Sequence, residues 1–239
     1  MAYQFVFKRY ELKYLMTRNQ KQRLLEVMAP YMALDKFGRT TIRNIYYDTD
    51  SDLLIRRSIE KPAYKEKLRV RSYRQTGPED TVFVELKKKH DSIVYKRRMT
   101  LPCRNTEQWL CGGDWKPQDS QIAREIQYFL GYYQTLRPAM FLSYEREAYF
   151  CPDGGDFRVT FDDTILYRRE KLSLEEPVWG TPLLDEDQVL MEIKCSGGIP
   201  LWMTRFLSEE RIYKTSYSKY GNAYKTLHRQ HYLGGKNHA

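Results

Sequence analysis

The chain has 239 residues and a formal net charge of +9, set by 40 lysines and arginines against 31 aspartates and glutamates. Its 41% hydrophobic content excludes a disordered chain, and its apolar runs of only a few residues exclude a membrane-spanning helix, which needs about 18. The first residues contain no signal-peptide core or cleavage site, and the excess of positive charge indicates a polyanionic partner.

Alternation of apolar and polar residues dominates the sequence and predicts many strands, with helices between them. In the first half, strands are predicted at 5–14, 40–47, 64–73, 82–88 and 93–101. Helices are predicted at 19–28 and over a short segment that ends at 59. Thr17 with Gln20 forms a capping box for the first helix, and Thr49 or Asp50 caps the short one. The last two strands form a hairpin around Asp91.

The second half continues the same alternation of strands and helices. Helices are predicted at 105–110, 120–130, 201–207 and 218–227, and strands at 140–150, 157–162, 165–167 and 189–195. No linker, repeat or low-complexity segment interrupts the pattern, so we expect a single domain over 1–233 and a frayed tail over 234–239.

Common catalytic and metal-binding motifs are absent from the sequence. None of the four cysteines forms a CxxC pair, and no histidine lies at zinc-ligand spacing from a cysteine. The cysteines are therefore expected to be reduced thiols of a cytosolic protein. The sequence also lacks GxxxxGK[ST], GxGxxG and GxSxG, which excludes the common nucleotide-loop and serine-hydrolase interpretations.

Seven of the predicted strands have a charged face and, in most of them, a largely apolar opposite face, because alternate residues point to opposite sides. Acids on these faces are Glu11, Glu85, Asp162 and Glu192. More numerous cations share the same faces: Lys13, Lys67, Arg69, Arg71, Lys87, Lys96, Arg98, Arg146, Arg158 and Lys194. One interpretation is an open sheet with a solvated side. The other is a closed barrel whose cations point inward and bind a polyanion.

A set of strand motifs, in order along nearly the whole chain, resembles the VTC domain family, the polyphosphate polymerase branch of the CYTH-like triphosphate tunnel metalloenzymes. The motifs are RYELKY at 9–14, IYYDT at 45–49, KLRVRSY at 67–73, VELKKK at 84–89, YKRRMTL at 95–101, YEREAYF at 144–150, FRVTFD at 157–162, LMEIKC at 190–195 and SYSKYGNAY at 216–224. The resemblance implies an α+β fold with a closed antiparallel β-barrel of about eight strands, which forms a tunnel with helices packed outside.

The resemblance also implies roles for individual residues. Catalytic phosphate ligands would be Lys13, Arg69, Arg71, Lys87, Lys96, Arg146, Arg158 and Lys219. Further substrate contacts would be Tyr144, Arg98, Lys194 and Ser218, and Glu192 would hold Mn²⁺ or Mg²⁺. Arg9 stands where the superfamily's first-strand ExExK pattern has its first acid. This departure resembles the polymerase branch and argues against a hydrolase with several metal-binding carboxylates.

The function that the resemblance implies is a metal-dependent phosphotransferase, which moves the γ-phosphoryl group of ATP to a growing inorganic polyphosphate chain. Alternatives are a metal-dependent tripolyphosphatase or nucleoside triphosphatase, and a non-catalytic polyphosphate-binding module. Nucleic acid is a disfavoured partner, since few aromatic residues share a face with the cations. We expect a cytoplasmic bacterial protein, with a separate integral membrane protein as a possible partner by the same resemblance.

Overall fold

The computed structural model describes residues 10–60, 62–90 and 93–234, with side chains described up to 229. Its strands are β1 Tyr10–Thr17, β2 Ala33–Leu34, β3 Thr40–Asp48, β4 Tyr64–Ser72, β5 Thr81–His90, β6 Ile93–Pro102, β7 Arg137–Phe150, β8 Arg158–Arg168, β9 Thr181–Pro182, β10 Gln188–Cys195 and β11 Lys214–Thr215. Its helices are α1 Arg18–Met28, α2 Leu53–Ile59, α3 Cys103–Leu110, α4 Gln121–Tyr133, α5 Leu201–Glu209 and α6 Lys219–Gly234. Three predicted features lie outside the described residues: the start of the first strand at 5–9, the turn at Asp91, and the tail beyond 234.

The predicted closed barrel of about eight strands is wrong, although the α+β class is right. Within the described ranges, the strands form an 11-stranded sheet in the order β11-β1-β10-β8-β7-β3-β4-β5-β6, with β2 beside β7 and β9 beside β8, and this sheet is not closed into a barrel. The physical reason is that alternation fixes which face a residue occupies but not whether the two end strands pair. The same sequence pattern fits an open sheet and a closed one.

The chain divides into two compact units. Unit 1 comprises Met1–Thr41, Tyr144–Ile165 and Leu184–Tyr217, and unit 2 comprises Ile42–Ser143, Leu166–Leu183 and Ser218–Ala239. Each unit has a hydrophobic core of its own. The single domain over 1–233 stays a prediction.

The core of unit 1 lies between its strands and helices α1 and α5. Val159 and Phe161 of β8 and Met191 and Ile193 of β10 are buried there, as the alternation predicted. Their helical neighbours in this core are Leu24, Met28, Met203, Phe206 and Leu207. The capping box of α1 is also confirmed, since Gln20 N donates to Thr17 Oγ1 at 3.1 Å and Thr17 N donates to Gln20 Oε1 at 3.0 Å.

The core of unit 2 uses the corresponding faces of β4 and β5. Leu68, Val70, Val84 and Leu86 are buried against residues of α2, α3 and α4, as predicted. The helical members of this core include Leu54, Trp109, Leu110, Ile126, Phe129 and Leu130. Because the apolar sides of these strands face helices, the charged residues of the same strands lie on the opposite face of the sheet.

Asp48, at the end of β3, organises the start of α2. One carboxylate oxygen accepts from Thr49 N at 2.9 Å and Leu54 N at 2.8 Å, and the other accepts from Ile55 N and from Tyr220 Oη, both at 2.9 Å. Burial raises the pKa of Asp48, while these hydrogen bonds oppose that rise. The N-cap residue of α2 is Asp52, and not Thr49 or Asp50 as predicted. The Thr49 hydroxyl nevertheless accepts from Leu53 N at 3.0 Å. The predicted cap Asp50 instead pairs with Arg137.

We expect Asp48→Asn to lower the free energy of unfolding by about 2–4 kcal/mol, measured by urea denaturation. An amide keeps one acceptor oxygen, so two of the four donors would face an NH₂ group in a fully buried position. Asp50→Asn is the matched control, because Asp50 and its partner Arg137 are both exposed, and it should cost less than about 1 kcal/mol. Equal effects of the two changes would contradict this assignment.

Candidate functional site

Three lysines form a row across neighbouring strands of unit 2. Lys67 of β4 lies opposite Lys87 of β5, which in turn lies opposite Lys96 of β6. They occupy the face of the sheet away from the buried Leu68 and Leu86. Like charges at directly opposed positions repel each other. An anion bound over the row would relieve this repulsion.

The next row along the same strands is built around one buried acid. Arg69, Glu85 and Arg98 are directly opposed on β4, β5 and β6, and Glu85 is only 1% exposed. The Glu85 carboxylate lies 2.7 Å from Arg69 Nη2, 2.6 Å from Lys96 Nζ, 3.3 Å from Arg98 Nε and 3.9 Å from Arg71 Nε. A single carboxylate thus forms ion pairs with four cations.

The electrostatics of this cluster follow from its excess of positive charge. Burial alone would raise the pKa of Glu85, but Arg69, Arg71 and Lys96 lower it to about 2. Burial lowers the pKa of Lys96, and Arg69 and Arg71 lower it further against the opposing effect of Glu85. The cluster therefore keeps Glu85 ionised and disfavours the charged form of Lys96, which a bound phosphate anion would stabilise.

Glu85 should contribute stability that depends on pH. Because its folded pKa of about 2 lies below the ordinary value of 4.5, this contribution is full above about pH 5 and is lost as the pH falls through 4.5 toward 2. We expect the gap in unfolding free energy between wild type and Glu85→Gln to shrink by about 2 kcal/mol between pH 6 and pH 3.

Urea denaturation at the two pH values measures this gap. Glu79→Gln is the control, since Glu79 is exposed and pairs with Arg104 outside the cluster. A gap for Glu85→Gln that stays constant with pH would show that the carboxyl is not held ionised by its neighbours.

The third row carries an aromatic side chain. Arg71 lies opposite Phe83, and Arg71 Nε donates to Asn44 Oδ1 at 2.9 Å. The guanidinium of Arg98 lies 3.7 Å from the centre of the Phe83 ring, and Arg98 Nη2 donates to Tyr73 Oη at 2.9 Å. Neither Tyr73 nor Phe83 was predicted as a site residue, although Tyr73 follows Arg69 and Arg71 at the same two-residue spacing.

The start of α6 lies beside the lysine row. Lys67 Nζ donates to Ser218 Oγ at 3.1 Å, and Ser218 Oγ accepts from Gly221 N at 3.2 Å. Ser218, a predicted substrate contact, therefore caps the helix and contacts a lysine of the row. Lys219, a predicted phosphate ligand, is the first residue of α6. A helix N-terminus beside lysines favours anions.

A second group of charged residues lies in unit 1, on β1, β8 and β10. Lys13 is directly opposed to Glu192, and Lys194 is directly opposed to Arg158. Glu192 lies 3.7 Å from Lys13 Nζ and 2.9 Å from Lys194 Nζ. Lys13 Nζ also donates to the backbone carbonyl of Tyr217 at 3.0 Å. The predicted metal ligand Glu192 is thus positioned between two predicted phosphate-binding lysines.

Arg146 of unit 1 is held by a buried carboxylate. Its Nε and Nη2 atoms donate to the two oxygens of Asp162 at 2.6 and 2.7 Å, and its guanidinium lies 5.1 Å from the centre of the Tyr144 ring. Burial opposes the charge, but Tyr144 and Asp162 raise the pKa of Arg146 well above the ordinary arginine value. Two of its nitrogens are fixed by Asp162, so the orientation of the guanidinium fork is set in advance.

The carboxylates near these cations fit a metal ion only in part. No group of three or more His, Cys, Asp or Glu residues in the described ranges is arranged to hold a metal. Glu192 offers one hard oxygen ligand, which is the kind that Mg²⁺ and Mn²⁺ prefer. Such ions often take one or two carboxylates and complete their coordination with substrate phosphates and water.

The predicted site residues thus fall into two groups, one in each unit. Unit 1 contains Lys13, Tyr144, Arg146, Arg158, Glu192 and Lys194. Unit 2 contains Arg69, Arg71, Lys87, Lys96, Arg98, Ser218 and Lys219. Direct contacts join Arg69, Arg71, Lys96 and Arg98 through Glu85, and join Lys13 and Lys194 through Glu192.

Comparison with known proteins identifies both a family and a shared fold. The family model described as VTC domain matches residues 8–228. Among solved structures, an adenylate cyclase candidate from Bacillus halodurans has 16% identity and a TM-score of 0.52, over 87% of this chain and 92% of that one. An adenylyl cyclase candidate from Hippeastrum, described as having a dominant triphosphatase activity, has 15% identity and a TM-score of 0.47, over 88% and 92% of the two chains.

At 16% identity, the likeness to the Bacillus protein shows a common fold and not a common activity. No curated protein matches the chain. Within the described residues, no helix is both long and apolar enough to cross a membrane. The family resemblance that the ordered strand motifs predicted is confirmed.

Proposed function

The chain belongs to the VTC domain family, and on that premise we propose that it is a polyphosphate polymerase, which transfers the γ-phosphoryl group of ATP to a growing inorganic polyphosphate chain. The observation that carries this proposal is the face of unit 2 on which Lys67, Lys87 and Lys96 form one row beside the cluster at Glu85. Converging cations of this density suit a ligand with several linked phosphates better than a single carboxylate or phosphate.

Phosphoryl transfer depends mainly on in-line positioning and on neutralising charge over the phosphate oxygens. Arg69 supplies a planar donor set for bidentate contacts, while Lys96 supplies a point charge. Glu85 holds both side chains on one face before substrate arrives, so little reorganisation is needed during the reaction. This arrangement supports the use of the cations as charge stabilisers of the transferring group.

The charged group of unit 1 supports the same activity by its own chemistry. Arg146, oriented by Asp162, presents a fixed guanidinium, and Lys13 and Lys194 add two point charges. Glu192 would contribute one oxygen ligand to a Mn²⁺ or Mg²⁺ ion, which when bound withdraws charge from phosphate oxygens. The two lysines would position Glu192 and contact phosphate oxygens beside it.

A cytoplasmic location and docking onto a separate integral membrane protein remain part of the proposal. Cell fractionation followed by affinity capture of the tagged chain tests both. Recovery in the cytosolic fraction and capture of an integral membrane protein would support them. Recovery outside the cytosol would contradict the location, and capture of soluble proteins alone would contradict the docking.

Product analysis after incubation with ATP and Mn²⁺ tests the proposed reaction. We expect a polyphosphate ladder on a polyacrylamide gel, with ADP formed in proportion and little free phosphate. A matched reaction without protein and one with added polyphosphatase identify the ladder. Free phosphate as the main product would favour a triphosphatase, and polyphosphate binding without turnover would favour a binding module. Either result would overturn the polymerase assignment.

A further inference from the structure

The charged face of unit 2 changes character along the direction of its strands. Lys67, Arg69 and Arg71 follow one another on β4 at steps of about 6.7 Å, since alternate strand residues share a face. Next to the lysine row lies the row of the Glu85 cluster, and beyond it the row that contains Phe83. Tyr73 follows β4 with the same two-residue spacing, so cations at one end give way to aromatic rings at the other.

Tyr73 is held in a defined orientation at this aromatic end. Its ring lies 5.4 Å from the Phe83 ring, at an interplanar angle of 74°. Its hydroxyl accepts from Arg98, whose guanidinium packs against Phe83. Yet Tyr73 is 40% exposed and so is not a core residue. A planar ring that is fixed by neighbours and open to solvent offers a surface for stacking.

We propose that Tyr73 is the platform for the nucleobase of ATP, with the triphosphate directed past Arg71 and Arg69 toward the lysine row. Stacking on an aromatic ring requires only a π-face of the base. The order of the rows sets the orientation in which the ligand binds, because its uncharged base contacts the aromatic rings and its phosphates contact the cations. This inference rests on the proposed function in one respect, namely that a nucleoside triphosphate is the phosphoryl donor.

The main alternative is that Tyr73 acts only by positioning Arg98. In that case, loss of the ring would weaken every phosphate ligand alike, with or without a base. Comparing a nucleotide with inorganic tripolyphosphate separates the two roles, since both carry three linked phosphates and only one carries a base. Binding is measured without turnover, so the result does not depend on which product the enzyme makes.

Isothermal titration calorimetry with Mg²⁺ and either adenylyl imidodiphosphate or tripolyphosphate provides the test. We expect Tyr73→Leu to weaken binding of the nucleotide about tenfold, as for the loss of one base stack, and to change tripolyphosphate affinity less than twofold. Tyr73→Phe keeps the ring and should retain the wild-type difference between the two ligands. Tyr128→Leu is the control, because Tyr128 is 74% exposed on α4 and lies outside the site.

Equal losses for the two ligands with Tyr73→Leu would overturn the platform, and so would the absence of any loss. The outcome is separable from that of the product assay. A selective loss of nucleotide affinity supports the platform even if no polyphosphate is made, and a polymerase without that selective loss contradicts the platform alone.

Discussion

Replacing Arg69 with alanine is expected to lower the rate of polyphosphate synthesis by about 100- to 1000-fold, the effect of removing one preorganised donor from a charged transition state. Tripolyphosphate affinity should fall as well, because Arg69 is a charge on the substrate-binding face before and during transfer. Glu85 keeps its contacts with Lys96 and Arg98, so the variant should still fold. Rates are measured from ADP release with ATP and Mn²⁺, and affinities by calorimetry.

Arg97→Ala provides the matched control for this experiment. Arg97 is the neighbour of Lys96 and Arg98 on β6, but its Nε donates to Glu125 of α4 at 2.9 Å on the helical side of the sheet. Both variants lose one positive charge from the same sheet. If overall charge attracts the substrate, the rate and the tripolyphosphate affinity should fall equally in the two variants. If the charged face binds the substrate, they should fall only in Arg69→Ala. Equal losses would contradict the assignment of this face.

Glu192→Gln is expected to separate binding from turnover. The change keeps the size of the side chain and removes one negative charge between Lys13 and Lys194, so polyphosphate affinity should hold or rise. Turnover should fall about 100-fold or more, because a metal ion held by Glu192 would lose one oxygen ligand, and each 1.4 kcal/mol or so is a tenfold change in rate. Mn²⁺ titrations of activity should shift to higher concentration in the variant.

The control for Glu192→Gln is Glu147→Gln, which removes a carboxylate paired with Lys21 in the same unit. Glu147 is on β7 at a position of opposite parity to Arg146, and thus on the other face of that strand. It should leave the Mn²⁺ dependence unchanged. Near wild-type turnover of Glu192→Gln at every Mn²⁺ concentration would show that Glu192 is not a metal ligand.

The faces of the strands could be predicted from the sequence because alternation is a local property. Leu68 and Val84 are buried while Arg69 and Glu85 lie on the other face, as the two-residue period requires. The capping box at Thr17 was predicted for the same reason, since its partner is only three residues away. Closure of the sheet is a different matter, because it depends on pairing between strands far apart in the chain.

Contacts that depend on the register between strands could not be predicted from the sequence. The four cations around Glu85 come from β4 and β6, and only the pairing of both strands with β5 brings them together. The role of Asp48 was missed because three of its four donors lie on α2 and α6, and one of these, Tyr220, is 172 residues away. The two-residue spacing of Tyr73 from Arg71 could have indicated that both share a face. A tyrosine at the end of a strand is common, however, and its contacts with Phe83 and Arg98 could not be predicted from the sequence.

A crystal structure with tripolyphosphate would show whether the charged face of unit 2 binds linked phosphates. We expect phosphates within hydrogen-bond distance of Arg69, Arg71 and Lys96, on the side of β4–β6 opposite α3 and α4. Phosphates found instead on the exposed groove lined by Arg56, Lys225 and Arg229, with the face at Glu85 empty, would contradict this expectation.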